Sequence, residues 1–167
     1  LKPARQGSSV GLQLVDEVGQ WDAALAAVRR HDDRILCEER IVGREITVGI
    51  LADEALPIVE VKPKVGAYHY RNKYTVGATE YCCPADLPPE QVESLWQLGL
   101  KAFDAVEGRD FGRVDMMLDA GLKPHVLEVN TLPGLTETSL LPMASAAAGL
   151  EFNQLCQRMI ELALQRN

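Results

Sequence analysis

Arg113, Asp115, Glu128 and Asn130 are the residues of this chain best suited to chemistry. They lie in residues 111–136, FGRVDMMLDAGLKPHVLEVNTLPGLT, which read as two strands and a turn. Asp119-Ala120-Gly121 and Lys123-Pro124 supply the turn chemistry. A two-residue period puts Arg113, Asp115 and Met117 on one face of the first strand, with Val114, Met116 and Leu118 on the other. In the second strand Val126, Glu128 and Asn130 share a face, opposite Leu127 and Val129. A turn over residues 119–124 sets Leu118 against His125, hence Asp115 against Glu128 and Arg113 against Asn130. A slip of one residue would reverse the faces.

Two carboxylates directly opposed on one sheet face repel, and a divalent cation offsets that repulsion. Carboxylate and amide oxygens suit Mg²⁺, which takes one or two carboxylates and completes its shell with phosphate and water. Arg113 adds a fixed fork of positive charge, suited to negative charge developing on a reacting group. The plainer reading is the solvated outer face of an ordinary hairpin.

The elements that must position these residues follow from hydrophobic periodicity. Residues 19–31 carry Trp21, Ala24, Leu25 and Val28 at helical spacing, with His31 at the solvated end. Residues 35–62 read as three strands: a short one from Ile35, one from Arg44 to Ala52, and an antiparallel return from Leu56 to Lys62. In the middle strand Ile46, Val48 and Ile50 face one way, and Glu45 and Thr47 the other. Residues 63–80 lack clear periodicity and carry Tyr68, His69, Tyr70, Arg71, Lys73 and Tyr74. Their length and basic, aromatic content point to a lid over an anionic ligand, or else to a surface loop. Residues 86–108 form a helix with the stripe Val92, Leu95, Trp96, Gly99, Phe103 and Val106. Two further helices begin near Pro142 and Glu151, the last with Phe152, Leu155, Cys156, Met159, Leu162 and Ala163 inward. Near the start, Lys2 precedes Gly7-Ser8-Ser9-Val10-Gly11, a small-residue loop whose N–H groups can approach phosphate. It is not a Walker A motif, because no GK[ST] follows.

Composition bounds the function class. The 167 residues are 47% apolar and 25% charged, with net charge −7, as in an ordinary soluble domain. No basic cluster marks a nucleic-acid binder. No apolar run has transmembrane length and no signal peptide opens the chain. The four cysteines show no ligand spacing and read as reduced thiols of a cytoplasmic protein. The start at Leu1, within a motif, reads as that of a fragment.

The ordered motifs LKPARQGSSVG, EERIVGREITV, NKYTVGATEYCCPA, FGRVDMMLD and LEVNTLPGLTETSLLP resemble the C-terminal part of D-alanine–D-alanine ligases, members of the ATP-grasp superfamily. The resemblance covers nearly the whole chain. It implies an α+β, ATP-grasp fold with a mainly antiparallel sheet packed against helices, truncated at the N-terminus. Residues 1–42 would end the ATP-binding central subdomain. Residues 43–167 would be the C-terminal subdomain, with the lid at 63–80. The implied activity joins two D-alanines through an acyl phosphate, with ATP as co-substrate and two Mg²⁺ or Mn²⁺ ions. The implied metal ligands are Asp115, Glu128 and Asn130. Arg113 and the backbone of Gly134 are implied at the oxyanion, Ser8 and Tyr74 beside the substrate, and Lys2 and Lys73 on phosphate. Glu38 and the backbone near Ile41 would read adenine, Glu45 the ribose, and Ser139 with Leu140 the second D-alanine's carboxylate. Tyr74 favours D-alanine over D-lactate as second substrate.

Two residues depart from the family pattern. Arg40 stands where an aromatic residue is common, and Leu132 where Ser is common. Family members are often homodimers. The segment by itself is expected to lack ligase activity. Rival readings are an ATP-grasp ligase for another amino or hydroxy acid, a non-catalytic nucleotide-binding module, and a structural or interaction domain.

Overall fold

The computed structural model describes residues 1–63, 79–136 and 138–165. They fall into two units. One is Leu1–Arg40 with the described part of Pro63–Glu80; the other is Ile41–Lys62 with the described part of Tyr81–Asn167.

In the first unit β1 (Lys2–Pro3) pairs antiparallel with β2 (Ile35–Leu36), so Lys2 lies opposite Leu36. Helix α1 (Trp21–Arg29) buries Ala24 and Val28, as its spacing predicts, and leaves Trp21 of the same stripe 40% exposed. The first turn of the expected helix is a 3₁₀ turn, Val18–Gln20, opened by a Glu17–Gln20 capping box. In the loop after β1, Val10 N donates to Gly7 O at 3.1 Å, and Ser8 and Ser9 sit at φ 54° and 59°. Positive φ at both central residues makes this a type I′ turn.

The second unit is built on β3 (Arg44–Leu51). Around it stand β4 (Glu54–Ala55), β5 (Val59–Pro63), β6 (Thr79–Cys82), β7 (Phe111–Leu118) and β8 (Pro124–Asn130), in the order β6-β5-β3-β7-β8 with β4 beside β3. The pairings of β3 with β4, β5 and β7, and of β7 with β8, are antiparallel. The return expected from Leu56 to Lys62 starts earlier, as β4 at Glu54, breaks off over residues 56–58 and resumes as β5 at Val59. Pro57 has no N–H for the ladder, and Leu56 N turns to Gly49 O at 2.8 Å. Pro63 and Thr79–Cys82, placed in or beside the expected loop, are strand.

Alternation on β3 and β7 produces two unlike faces. Ile46, Val48, Ile50, Val114, Met116 and Leu118 form the core with Leu95 and Phe103 of α2 (Pro89–Ala105). Each fully buried apolar side chain contributes about 1.5–3 kcal/mol. The opposite face carries Glu45, Thr47 and Gly49, paired across with Met117, Asp115 and Arg113. Helix α3 (Leu140–Ala147) lies over its Gly49 end. A Cβ on Gly49 would stand 3.1 Å from Leu141 Cδ1 and 3.4 Å from Ala144 Cβ, so α3 packs closely over this glycine. Helix α4 (Phe152–Leu164) buries Leu155 and Met159 behind a Glu151–Gln154 capping box. Phe152, expected inward, is 49% exposed, and Val106, expected on the α2 stripe, lies beyond that helix and is 52% exposed. Ala163 is exposed as well.

The β7–β8 hairpin departs from expectation at its turn and meets it at the site. Leu118 pairs with Pro124, not His125, and Met117 pairs with His125. The turn is one residue tighter because Asp119 organises it. Its Oδ1 accepts from Gly121 N at 2.9 Å and Lys123 N at 3.0 Å, its Oδ2 meets His125 Nε2 at 3.1 Å, and Leu122 takes φ 62°. His125 beside it holds the Asp119 carboxyl below its ordinary pKa. A β-bulge between Asp115 and Met116 then leaves Leu127 without an opposite residue and restores the offset. Val126 pairs with Met116 and so leaves the Glu128–Asn130 face it was expected to share. Beyond the bulge Asp115 pairs with Glu128 and Arg113 with Asn130, as the alternation predicts.

Candidate functional site

Asp115 is the centre of a hydrogen-bonded polar cluster on the second unit's open sheet face. Its side chain is 11% exposed. Arg113 grips it bidentately, Nε to Oδ1 at 2.7 Å and Nη2 to Oδ2 at 2.8 Å. Thr47 Oγ1 donates to Oδ1 at 2.6 Å. Asn130 Nδ2 donates to Oδ2 at 3.0 Å and reaches Glu128 Oε1 at 3.3 Å. The carboxylate thus accepts four bonds. The repulsion from Glu128 is offset inside the protein, by a guanidinium and a bridging amide.

The donor set fits Mg²⁺ in kind: two carboxylates and a carboxamide, with no thiol or imidazole; Asn130, whose Nδ2 faces both carboxylates here, would serve through its amide oxygen after a turn of the amide. Among the described residues no group of three or more His, Cys, Asp or Glu gathers as a metal site. The candidate is therefore a two-carboxylate site of the sort phosphate and water complete. Glu128 is exposed, whereas Asp115 Oδ2 carries two donors, Arg113 and Asn130.

Glu45 lies two residues before Thr47, on the same face, opposite Met117 and Val61. Ile41 is half-buried just ahead of β3. After β8, Ser139 stands at the N-cap of α3 in extended conformation, and its side chain makes no cap bond. Its hydroxyl is turned back, accepting from Thr136 N at 2.9 Å and lying 2.9 Å from Thr136 Oγ1. The helix start at Leu140 and Leu141 thus keeps N–H groups that suit an anion. A Cβ on Gly134 would fall 2.9 Å from Ser139 Oγ, so the Gly134 backbone and Ser139 share one small space.

Within the first unit Lys2 Nζ pairs with Glu38 Oε2 at 2.8 Å, joining two residues expected to serve different ends of one nucleotide. A cavity of about 240 Å³ is lined by both, with Leu12, Leu14, Trp21 and Arg40 among its walls. Arg40 pairs with Asp16, its side chain 46% exposed. Ser8 lies in the type I′ turn, exposed. Lys73 and Tyr74 lie outside the described residues.

Two features carry no sequence signal of their own. Thr47 looks like any strand threonine until β3 and β7 come into register. Arg44 and Glu60 form a bidentate pair, both bonds 2.7 Å, with the Glu60 side chain 3% exposed. Arg44 holds the Glu60 carboxyl below its ordinary pKa, against the opposing effect of burial. Only the opposite charges of Arg44 and Glu60, read together with the pairing of β3 and β5, could have found it.

Residues 1–161 match the family model described as D-ala D-ala ligase C-terminus. The chain belongs to the D-alanine–D-alanine ligase family. It is 46% identical over 166 residues to a D-alanine–D-alanine ligase of Methylacidiphilum infernorum, a match spanning 99% of this chain and 55% of that protein. Among solved structures, a D-alanine–D-alanine ligase from Bacillus anthracis superposes with TM-score 0.85 at 35% identity, over 98% of this chain and 53% of that one. The same enzyme complexed with ATP gives TM-score 0.78 at 33% identity, over 92% of this chain and 50% of that one. The fold is therefore the ATP-grasp α+β fold of the ligases, and the chain spans about half the length of the relatives it matches. Among the described residues no helix is long and apolar enough to cross a membrane.

Proposed function

We propose that the complete protein is an ATP- and Mg²⁺-dependent ligase that joins two D-alanines into D-alanyl-D-alanine for peptidoglycan synthesis in the cytoplasm. The observation that carries this reading is the face on which Asp115 and Glu128 stand opposed between Arg113 and Asn130, in a chain of this family.

In this reading the carboxylate of the first D-alanine takes the γ-phosphoryl group of ATP, and ADP leaves. The amine of the second attacks the resulting acyl phosphate, and the tetrahedral intermediate collapses to dipeptide and phosphate. Asp115, Glu128 and Asn130 would hold two Mg²⁺ ions, or Mn²⁺ in their place. Bound there, the ions supply positive charge that neutralises phosphate oxygens during transfer. Arg113 turns its fork from Asp115 toward the reacting oxygens, and with the Gly134 backbone stabilises the oxyanion. The N–H groups at the start of α3, with Ser139, take the carboxylate of the second D-alanine. Lys2 and Lys73 contact phosphate, Glu38 and the backbone at Ile41 take adenine, and Glu45 takes the ribose. Ser8 and Tyr74 border the substrate. Residues 1–42 then end the ATP-binding subdomain, and residues 43–167 form the C-terminal one.

The test is phosphate release from ATP by the complete protein, with dipeptide detected by mass spectrometry. D-alanine should stimulate release and appear as D-alanyl-D-alanine. Release indifferent to D-alanine, or a product formed only with D-lactate or another acid, would overturn the assignment.

A further inference from the structure

We infer that Thr47 is a positioning residue for the metal face, the fixed anchor that keeps Asp115 aimed when Arg113 leaves it. The inference rests on the proposed metal-dependent reading and concerns a residue to which that reading gives no task. Thr47 lies on β3, directly opposite Asp115 on β7, and is 2% exposed. Its hydroxyl has two acceptors in reach, Asp115 Oδ1 at 2.6 Å and Val114 O at 3.2 Å. One proton serves mainly one acceptor, and the shorter, charge-assisted bond wins. A threonine side chain on a strand is stiff about χ1, so the hydroxyl stays where β3 puts it.

The four bonds to Asp115 divide by oxygen. Oδ1 is held by Thr47 and Arg113 Nε, whereas Oδ2 is held by Arg113 Nη2 and Asn130 Nδ2. Asn130 Nδ2 also reaches Glu128, so Oδ2 is the oxygen on the Glu128 side, where a shared cation would sit. Two of the four bonds belong to Arg113, the group needed at the substrate. Once Arg113 departs, Oδ1 has Thr47 alone among these donors. Thr47 does not compete with a cation at Oδ2, and it comes from the sheet's central strand. It therefore anchors Oδ1 of the carboxylate through both states.

The experiment counts Mn²⁺ bound by the complete protein in the presence of ADP, by electron paramagnetic resonance, for the wild type, Thr47→Val, Thr47→Ser and Asp115→Asn. Thr47→Val removes the hydroxyl at nearly constant shape and should weaken Mn²⁺ binding about 10- to 100-fold, the range for groups that orient metal ligands. Thr47→Ser keeps the hydroxyl and should restore it. Equal Mn²⁺ affinity in Thr47→Val and wild type, with Asp115→Asn impaired, overturns the role of Thr47 and leaves the metal face standing. A wild type that binds no more Mn²⁺ than ADP alone overturns the metal face itself, and this inference with it. Should Thr47→Val not fold, Thr47→Ser against Thr47→Ala makes the same comparison, since both lack the methyl and only one has the hydroxyl.

Discussion

Replacing Arg113 by Met should destabilise the protein in the absence of divalent ions and much less in their presence. The guanidinium neutralises Asp115 through bonds of 2.7 and 2.8 Å, with the two side chains 15% and 11% exposed. At that burial little of the attraction is lost to solvent; two unit charges 4 Å apart interact by about 4 kcal/mol at an effective dielectric near 20. Removing one partner of a buried pair costs about 3–5 kcal/mol, because the other charge is left uncompensated. Thr47 and Asn130 still donate to Asp115, which places the expected loss near the lower bound, about 3 kcal/mol. In the proposed reading a cation then takes over the neutralisation, and free Mg²⁺ at one hundred times its dissociation constant contributes about 2.7 kcal/mol. Urea unfolding at graded Mg²⁺, followed through the Trp96 emission, measures both terms. Trp96 reports on the right unit: it is half-buried and donates Nε1 to Leu56 O at 2.9 Å. Mg²⁺ should raise the stability of Arg113→Met more than that of the wild type, in which Arg113 already occupies Asp115. Catalysis should not recover with it, falling about 10²- to 10³-fold in kcat as for loss of an oxyanion donor. A stability loss that Mg²⁺ leaves unchanged would refute the view that guanidinium and cation alternate on one carboxylate.

Three further outcomes follow from other parts of the fold. Glu60→Gln should cost about 1.5–3 kcal/mol by removing the charged acceptor of Arg44, which keeps its bond to Asp86 O; because the Glu60 pKa is lowered in the folded state, its contribution is full above the unfolded value, about 4.3, and fades as pH falls through the folded one. Urea midpoints from pH 7 down to 3 should show that difference shrinking at the acid end, and a constant difference would count against the pair. Gly43→Ala places a Cβ 1.7 Å from the carbonyl oxygen of Leu118, a backbone atom that cannot swing aside, so a loss of about 3 kcal/mol or more is expected in the unfolding midpoint. Among the cysteines, exposed Cys37 should react first with a disulfide reagent. Cys83, whose thiol burial pushes up, should react slowest in a timed titration read by peptide mass mapping.

Alternation along single strands was legible because it is local. Ile46, Val48 and Ile50, or Val114, Met116 and Leu118, point into the core wherever the strand is placed, and Arg113 and Asp115 follow to the other side. The ordered motifs likewise carried the family. Tertiary structure decided whatever depends on which strands meet and on how a turn closes. Asp119 tightened the hairpin turn by one residue and a bulge at Leu127 repaid the shift, a compensation to which a two-residue period is blind. The offset of the Asp115–Glu128 repulsion by Arg113 and Asn130 needed side-chain geometry, as did the Arg44–Glu60 pair. Thr47 shows the division most plainly: its residue type and face are in the sequence, but its bond to a carboxylate 68 residues away exists only once β3 lies against β7.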